Sequence, residues 1–207
     1  HKEGGISLIY PNGKKEIVRF KEEIQSQIIQ ILEISTNNYI FLKNNTGIIL
    51  YNEATKAYLN LEEDAFTEVK KIVIVKDELL LLKPDGIYSI KIKALLSKTY
   101  KTIKRTELKD GVRMTLNIAG DNVVVADNTD GIRIFKTDLT PLDTFKITKN
   151  DGSAFTKLLI DRFSSIYVST LDNGVYKITP KTRTIFNYTM KNGLNSNAVQ
   201  CVFVDRE

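Results

Sequence analysis

A Gly-Ile or Gly-Val dipeptide opens an apolar run five times in this chain, at Gly5 (GISLIY), Gly47 (GIILYN), Gly86 (GIYSIK), Gly131 (GIRIFK) and Gly174 (GVYKIT). The spacing is ~40 residues throughout, the length of a repeated supersecondary unit. Four of the glycines follow a second apolar run: YIFLKN from Tyr39, LLLLKP from Leu79, NVVVAD from Asn122 and IYVST from Ile166. The polar turn between run and glycine carries Asn45, Asp85, Asp130 or Asn173 at or near its end. Glycine reaches the positive φ that a tight turn between strands often needs, which predicts a hairpin at each anchor.

Each pair has a strand-like segment upstream: IIQILEI from Ile28, VKKIVIV from Val69, MTLNIA from Met114 and TKLLI from Thr156. A fourth lies downstream: AYLNL from Ala57, KTYKTI from Lys98, DTFKI from Asp143 and TIFNY from Thr184. β-Branched and aromatic residues bounded by Asn, Gly and Pro fit short strands on a half-buried pleated surface. Four antiparallel strands per unit predict an all-β fold, a β-propeller. One blade alone leaves too much apolar face in water, so blades must stack face to face.

The N-terminal stretch reads as a third and fourth strand (GISLIY, the Asn12-Gly13 turn, EIVRF), and AVQCVFVD near the C-terminus as a first strand. Residues 1–207 are therefore expected to form one propeller segment, four complete blades with a partial blade at each end, within a larger propeller. The stretch Lys91–Arg105 (KIKALLSKTYKTIKR) competes with this reading, because its lysines and leucines also suit a basic amphipathic helix. Its place in the repeat assigns it to the connection between third and fourth strands and to the fourth strand.

Composition narrows the functional classes. The 207 residues are 42% hydrophobic and 27% charged, ordinary for a globular protein. No apolar run approaches the ~18 residues of a membrane span, and no membrane contact is expected within this segment. No signal peptide opens the sequence, so the chain is expected to be cytoplasmic or a mature or excised segment. The net charge of +5 comes from lysines scattered over the length, which reads as a solvated surface and not a nucleic-acid footprint. Cys201 stands alone in an apolar run and reads as a small buried hydrophobe. His1 is the only histidine, which excludes a Ser-His-Asp or Cys-His machine within the chain.

No other catalytic set replaces it. Asp127-Asn128-Thr129-Asp130-Gly131 crowds oxygen ligands before a glycine but lacks the EF-hand spacing and distal Glu. Glu62, Glu63 and Asp64 are adjacent acids of a solvated turn, and no phosphate-cradling Gly-rich loop occurs. Thr170 to Tyr176 partly resembles the box of sialidase-type propellers, which is itself a structural turn. No enzyme activity, cofactor or metal is expected, and the reading turns to binding.

Ligands of propellers commonly sit where the turns between second and third strands meet the connections from fourth to first strands. The polar residues there are Lys43, Asn44, Asn45, Asp85, Asp127, Asn128, Asp130, Asp172, Asn173, Asn195 and Asn197. Such groups would hydrogen-bond a sugar or peptide backbone, although turns have this composition for their own reasons. Lys149 to Ser153 lie in a similar loop.

The sequence from Phe186 to the end, FNYTMKNGLNSNAVQCVFVDRE, resembles the two-component regulator propeller repeat of bacterial sensor proteins. Tyr188-Thr189, Asn192 to Asn197 and Asp205-Arg206-Glu207 follow that pattern in order and spacing, and Asp161-Arg162 with SSIYVST repeats it one blade earlier. The usual Trp of the second strand is missing, and NVVVADNTDGIRIF equally resembles the NHL-type repeat. The resemblance implies a periplasmic sensor domain that recognises a small molecule or oligosaccharide. The family's neighbouring parts include a Tyr-rich sandwich, a membrane helix and an output module, and the full-length protein would form a homodimer. The alternatives are a scaffold for envelope proteins, as in a secretion accessory, and part of a propeller glycan hydrolase or lyase.

Overall fold

A computed structural model describes residues 5–9, 12–20, 27–108, 115–127, 131–147 and 154–203. The chain divides into two compact units, His1–Thr67 and Glu68–Glu207. In the first, β1 (Gly5–Ile9) and β2 (Lys15–Arg19) form an antiparallel pair. β3 (Ile28–Ser35), β4 (Asn38–Lys43), β5 (Gly47–Asn52) and β6 (Tyr58–Leu61) form a four-stranded antiparallel sheet in chain order. The pair packs through Ile6, Leu8, Val18 and Phe20 against Phe41, Ile49 and Tyr51 of the sheet. Phe20 meets Tyr58 edge to face at 5.3 Å, a favoured aromatic geometry.

The second unit holds three further four-stranded sheets. These are β7 (Lys71–Val75), β8 (Glu78–Lys83), β9 (Gly86–Lys91) and β10 (Ile103–Glu107); β11 (Thr115–Ala119), β12 (Asn122–Asp127), β13 (Gly131–Lys136) and β14 (Pro141–Phe145); and β15 (Phe155–Ile160), β16 (Ile166–Thr170), β17 (Val175–Thr179) and β18 (Thr184–Tyr188). The first strands sit side by side, with β11 against both β7 and β15.

Side chains alternate between the two faces of a strand, and the middle sheet uses both. Val123, Val125 and Phe135 pack with Val73, Leu80 and Leu82 of the sheet before it. Val124, Ala126, Ile132 and Ile134 pack with Leu158, Val168 and Ile178 of the sheet after it. Burial on both faces is why Val123–Ala126 is continuously apolar. The expected β-propeller fold is present: among the described residues a two-stranded sheet precedes four four-stranded blades.

The repeated glycine has a different common cause from the turn geometry expected of it. A Cβ at Gly47, Gly86, Gly131 or Gly174 would run into the carbonyl oxygen of Leu61, Thr106, Phe145 or Tyr188, respectively. Each of those oxygens belongs to the end of the neighbouring fourth strand or, for Thr106, the residue next to its end. Gly174 has φ +74°, but Gly86 lies outside the positive-φ region. Close approach of two strands, not φ alone, selects glycine at this position.

Two expectations are corrected. The fourth strand of the second blade is not KTYKTI but Ile103–Glu107, because a five-residue helix, α1 (Ile92–Leu96), occupies the connection before it. Ala94, Leu95 and Leu96 are strong helix formers, and the turn buries Leu95 completely. Residues 198–203 form no strand, and Cys201 is exposed rather than buried. Among the described residues this run has no second strand to pair with; instead the Val199 N–H donates to the Thr170 carbonyl at 2.8 Å.

Candidate functional site

The most organised loop cluster lies at the end of the last blade. β16 ends in Thr170, whose fully buried hydroxyl donates to the Gly174 carbonyl at 2.9 Å and accepts from the Asn173 N–H at 2.9 Å. One side chain thus closes the turn Leu171–Asn173 from inside, as Ser and Thr hydroxyls do in turns. The Asn173 amide also donates to the Tyr176 hydroxyl at 2.6 Å.

Beyond β18, Thr189 and Asn192 cap a short 3-10 turn, Met190–Asn192, reciprocally. The Asn197 side chain accepts from the Met190 N–H at 2.8 Å, and the Asn197 carbonyl accepts from the Gly174 N–H at 2.8 Å. The Thr156 hydroxyl donates to the Val199 carbonyl at 2.7 Å. The turn after β16 and the segment after β18 are therefore fastened into one surface. Leu171, Asp172, Met190, Asn195 and Ser196 stand exposed on it. This set offers a carboxylate, an amide, a hydroxyl and two apolar side chains, the mixture that a polar ligand with an apolar face requires.

Sequence reasoning selected Asp172, Asn173, Asn195 and Asn197 here, and the structure brings them to this one edge. It also divides their roles: Asp172 and Asn195 face solvent, whereas Asn173 and Asn197 build the turn. Leu171 and Met190, exposed on the same edge, were not selected, because polarity was the only signal followed.

The other selected residues are placed differently. Lys43 is fully buried at the end of β4, where its ammonium donates to Asn60 Oδ1 at 2.7 Å and to the Glu62 carboxylate. The hydrogen bond from Lys43, then that from Asn60, holds the Glu62 carboxyl below its ordinary range. Asn44 and Asn45 are exposed in the following turn, with Asn45 at φ 63° and the Asn44 N–H donating to the Gln27 carbonyl at 2.8 Å.

Asp85 accepts from the Tyr88 hydroxyl at 2.6 Å and from Lys104 at 3.0 Å; both bonds lower its pKa, and the bond to Asp85 raises that of Tyr88. Asp127 is buried and accepts from Arg133 Nε at 2.9 Å, so its carboxylate holds a guanidinium. Asn128, Asp130, Lys149 to Ser153 and Asp205 to Glu207 lie outside the described residues. Among the described residues no three His, Cys, Asp or Glu side chains gather in a way that could hold a metal ion. No helix among them is long and apolar enough to cross a membrane.

No protein-family model and no curated protein matches the chain in sequence. Solved structures match its fold. The extracellular domain assigned to the hybrid two-component system BT4673 of B. thetaiotaomicron is similar with a TM-score of 0.67 at 18% identity, over 89% of this chain and 26% of that one. The corresponding domain of BT3049 from the same organism gives 0.59 at 13%, over 89% and 27%. PorZ, an essential bacterial surface component of the type-IX secretion system of Porphyromonas gingivalis, gives 0.66 at 11%, over 84% and 29%. The chain thus spans less than a third of each of these three proteins. Likeness at this identity establishes the β-propeller architecture and leaves function to be argued from the site.

Proposed function

We propose that this chain is the ligand-recognising propeller segment of an extracytoplasmic sensory protein in a two-component or related bacterial signalling system. It acts by binding and not by catalysis, and its ligands are oligosaccharide fragments. The likeness to the BT4673 and BT3049 extracellular domains carries the reading. The resemblance of Tyr188 to Asn197 to a sensor-propeller repeat supports it, since that stretch builds the fastened edge of the last blade. In this reading Leu171, Asp172, Met190 and Asn195 contact the ligand, while Asn173 and Asn197 hold the edge in shape.

The segment belongs to a larger propeller, consistent with the half-exposed Phe186 and Tyr188 on the last sheet. Its signal passes to output domains through blade packing or the arrangement of a homodimer of the full-length protein. Thermal melting across a broad oligosaccharide panel tests the ligand class. A reproducible rise for one saccharide, reduced in Asp172→Ala, is the expected result; a flat response across the panel contradicts it.

The likeness to PorZ favours a second reading, a scaffold for envelope proteins. A stable protein partner in pull-down, with no response to any saccharide, would select it.

A further inference from the structure

Each four-stranded sheet ends in its fourth strand, β6, β10, β14 or β18, and among the described residues no strand pairs beyond it. Such an edge offers unpaired N–H and C=O groups to any extended chain, and proteins blunt it with short strands, charges, proline, bulges or a cover. Three of these edges are blunted. β6 is four residues long, each at least partly buried, and its Tyr58 ring lies against Phe20. β10 carries Lys104, Arg105 and Glu107, and its pairing with β9 shifts between Lys104 and Thr106. β14 starts at Pro141, holds Asp143, and its pairing with β13 shifts as well.

β18 has none of these devices. Thr184, Ile185, Phe186, Asn187 and Tyr188 include no charge and no proline, and they pair with β17 in unbroken register from Thr179 against Thr184 to Val175 against Tyr188. Ile185 and Phe186 are 42% and 51% exposed. Two 3-10 turns bracket the strand, Pro180–Thr182 before it and Met190–Asn192 after it. The reciprocal cap of Thr189 and Asn192 holds the second turn, so the edge is a slot with fixed ends. Five extended residues, about 17 Å, fill it.

Charge decides between occupants. Each bracketing turn presents an exposed lysine, Lys181 at one end and Lys191 at the other, while Arg183 is already paired with Asp143. A second copy of β18 laid antiparallel on the first, Phe186 against Phe186, sets Lys181 of each copy toward Lys191 of the other. Like charges facing across a strand pair are destabilising. A strand with acidic residues just beyond its ends meets the same two lysines with complementary charge.

We propose that β18 is a docking edge for an extended strand of a protein partner: about five β-branched and aromatic residues bounded by Asp or Glu. Main-chain hydrogen bonds to the edge give affinity, and cross-strand contacts with Ile185 and Phe186 together with the two lysines give specificity. The inference does not rest on the oligosaccharide reading. No sequence signal marked it, because β18 differs from the other fourth strands only in devices it lacks.

The test is fluorescence anisotropy at low ionic strength with the labelled peptide EDTVTVYDE, compared with KKTVTVYKK. The acidic peptide should bind saturably and about 5-fold or more tighter than the basic one. N-methylation throughout its central TVTVY run removes the ladder donors and should abolish binding. The double variant Lys181→Glu with Lys191→Glu, altered only at exposed turn positions, should invert the preference between the two peptides. Ile185→Glu, also at an exposed position, should weaken the acidic peptide while the melting temperature shows the fold retained. Asp172→Ala should bind the peptide as the parent does, which separates this edge from the saccharide reading. No saturable binding, equal affinity for both peptides, or binding that survives N-methylation overturns the proposal. So does a dimer in sedimentation that Ile185→Glu dissolves, which assigns the edge to a second copy.

Discussion

The third and fourth blades have the same strand plan but different surroundings. The sheet β11–β14 buries both faces, sending Val123 and Val125 one way and Val124 and Ala126 the other. The sheet β15–β18 buries one face through Leu158, Val168 and Ile178. Its other face leaves Phe186 and Tyr188 half-exposed, their rings 4.6 Å apart, with Lys177 over the Tyr167 ring. Asp127 is buried beneath Arg133, whereas Asp172 stands in solvent. The residue that ends the second strand is buried and structural in both blades, as Asp127 and as Thr170, and Asp172 stands in the turn two residues beyond.

The largest expected contrast is between two phenylalanines. Phe135→Ala should cost about 3–5 kcal/mol by urea unfolding, because it empties a filled interface between blades. Phe186→Ala should stay within ~0.5 kcal/mol. Similar costs would erase the distinction between the two sheets.

The two aspartates come next. Asp127→Asn takes the charge from a buried carboxylate bonded to the Arg133 guanidinium and should cost about 3 kcal/mol. Asp172→Asn should leave the melting temperature unchanged and weaken saccharide binding. A stable Asp127→Asn protein would show that the ion pair is dispensable.

Gly174 and Gly193 form a smaller pair. Gly174→Ala drives a Cβ into the Tyr188 carbonyl and should cost about 2 kcal/mol or more. Gly193 has φ +103° but open space around a Cβ, so Gly193→Ala should cost ~1 kcal/mol through backbone strain alone. Equal costs would return the repeat glycine to a turn requirement.

The smallest effect lies in the first unit. The Glu62 carboxyl has its pKa lowered by Lys43 and Asn60, so its charged form is favoured by folding. That contribution is fully present above the ordinary Glu pKa of about 4.3 and is lost as pH falls through the lower folded value. Acid unfolding of Glu62→Gln should therefore show a shallower loss of stability below about pH 4.3 than the parent. Superimposable acid limbs would remove Glu62 from the account.

The blade plan was legible because strand alternation and the glycine register are written locally, in runs such as NVVVADNTDGIRIF. The register failed where a local preference intruded: Ala94 to Leu96 formed a helix and pushed the fourth strand to Ile103. It failed again at Cys201, where strand-like composition met no partner strand. The site was less legible. Asn and Asp in a turn look alike whether they bond their own backbone, as Asn197 does, or face water, as Asp172 does. Lys43 and Asp127 were selected as polar turn residues, and only the folded chain places Glu62 and Arg133 against them.

Native-state hydrogen exchange tests most directly the claim that stability resides where a sheet is covered on both faces. β12 and β16 are equivalent second strands, each hydrogen-bonded on both sides. The account predicts that β12 amides exchange only through global unfolding, while β16 amides open at least ~1 kcal/mol more easily. Equal protection in the two strands, or greater protection in β16, would contradict it.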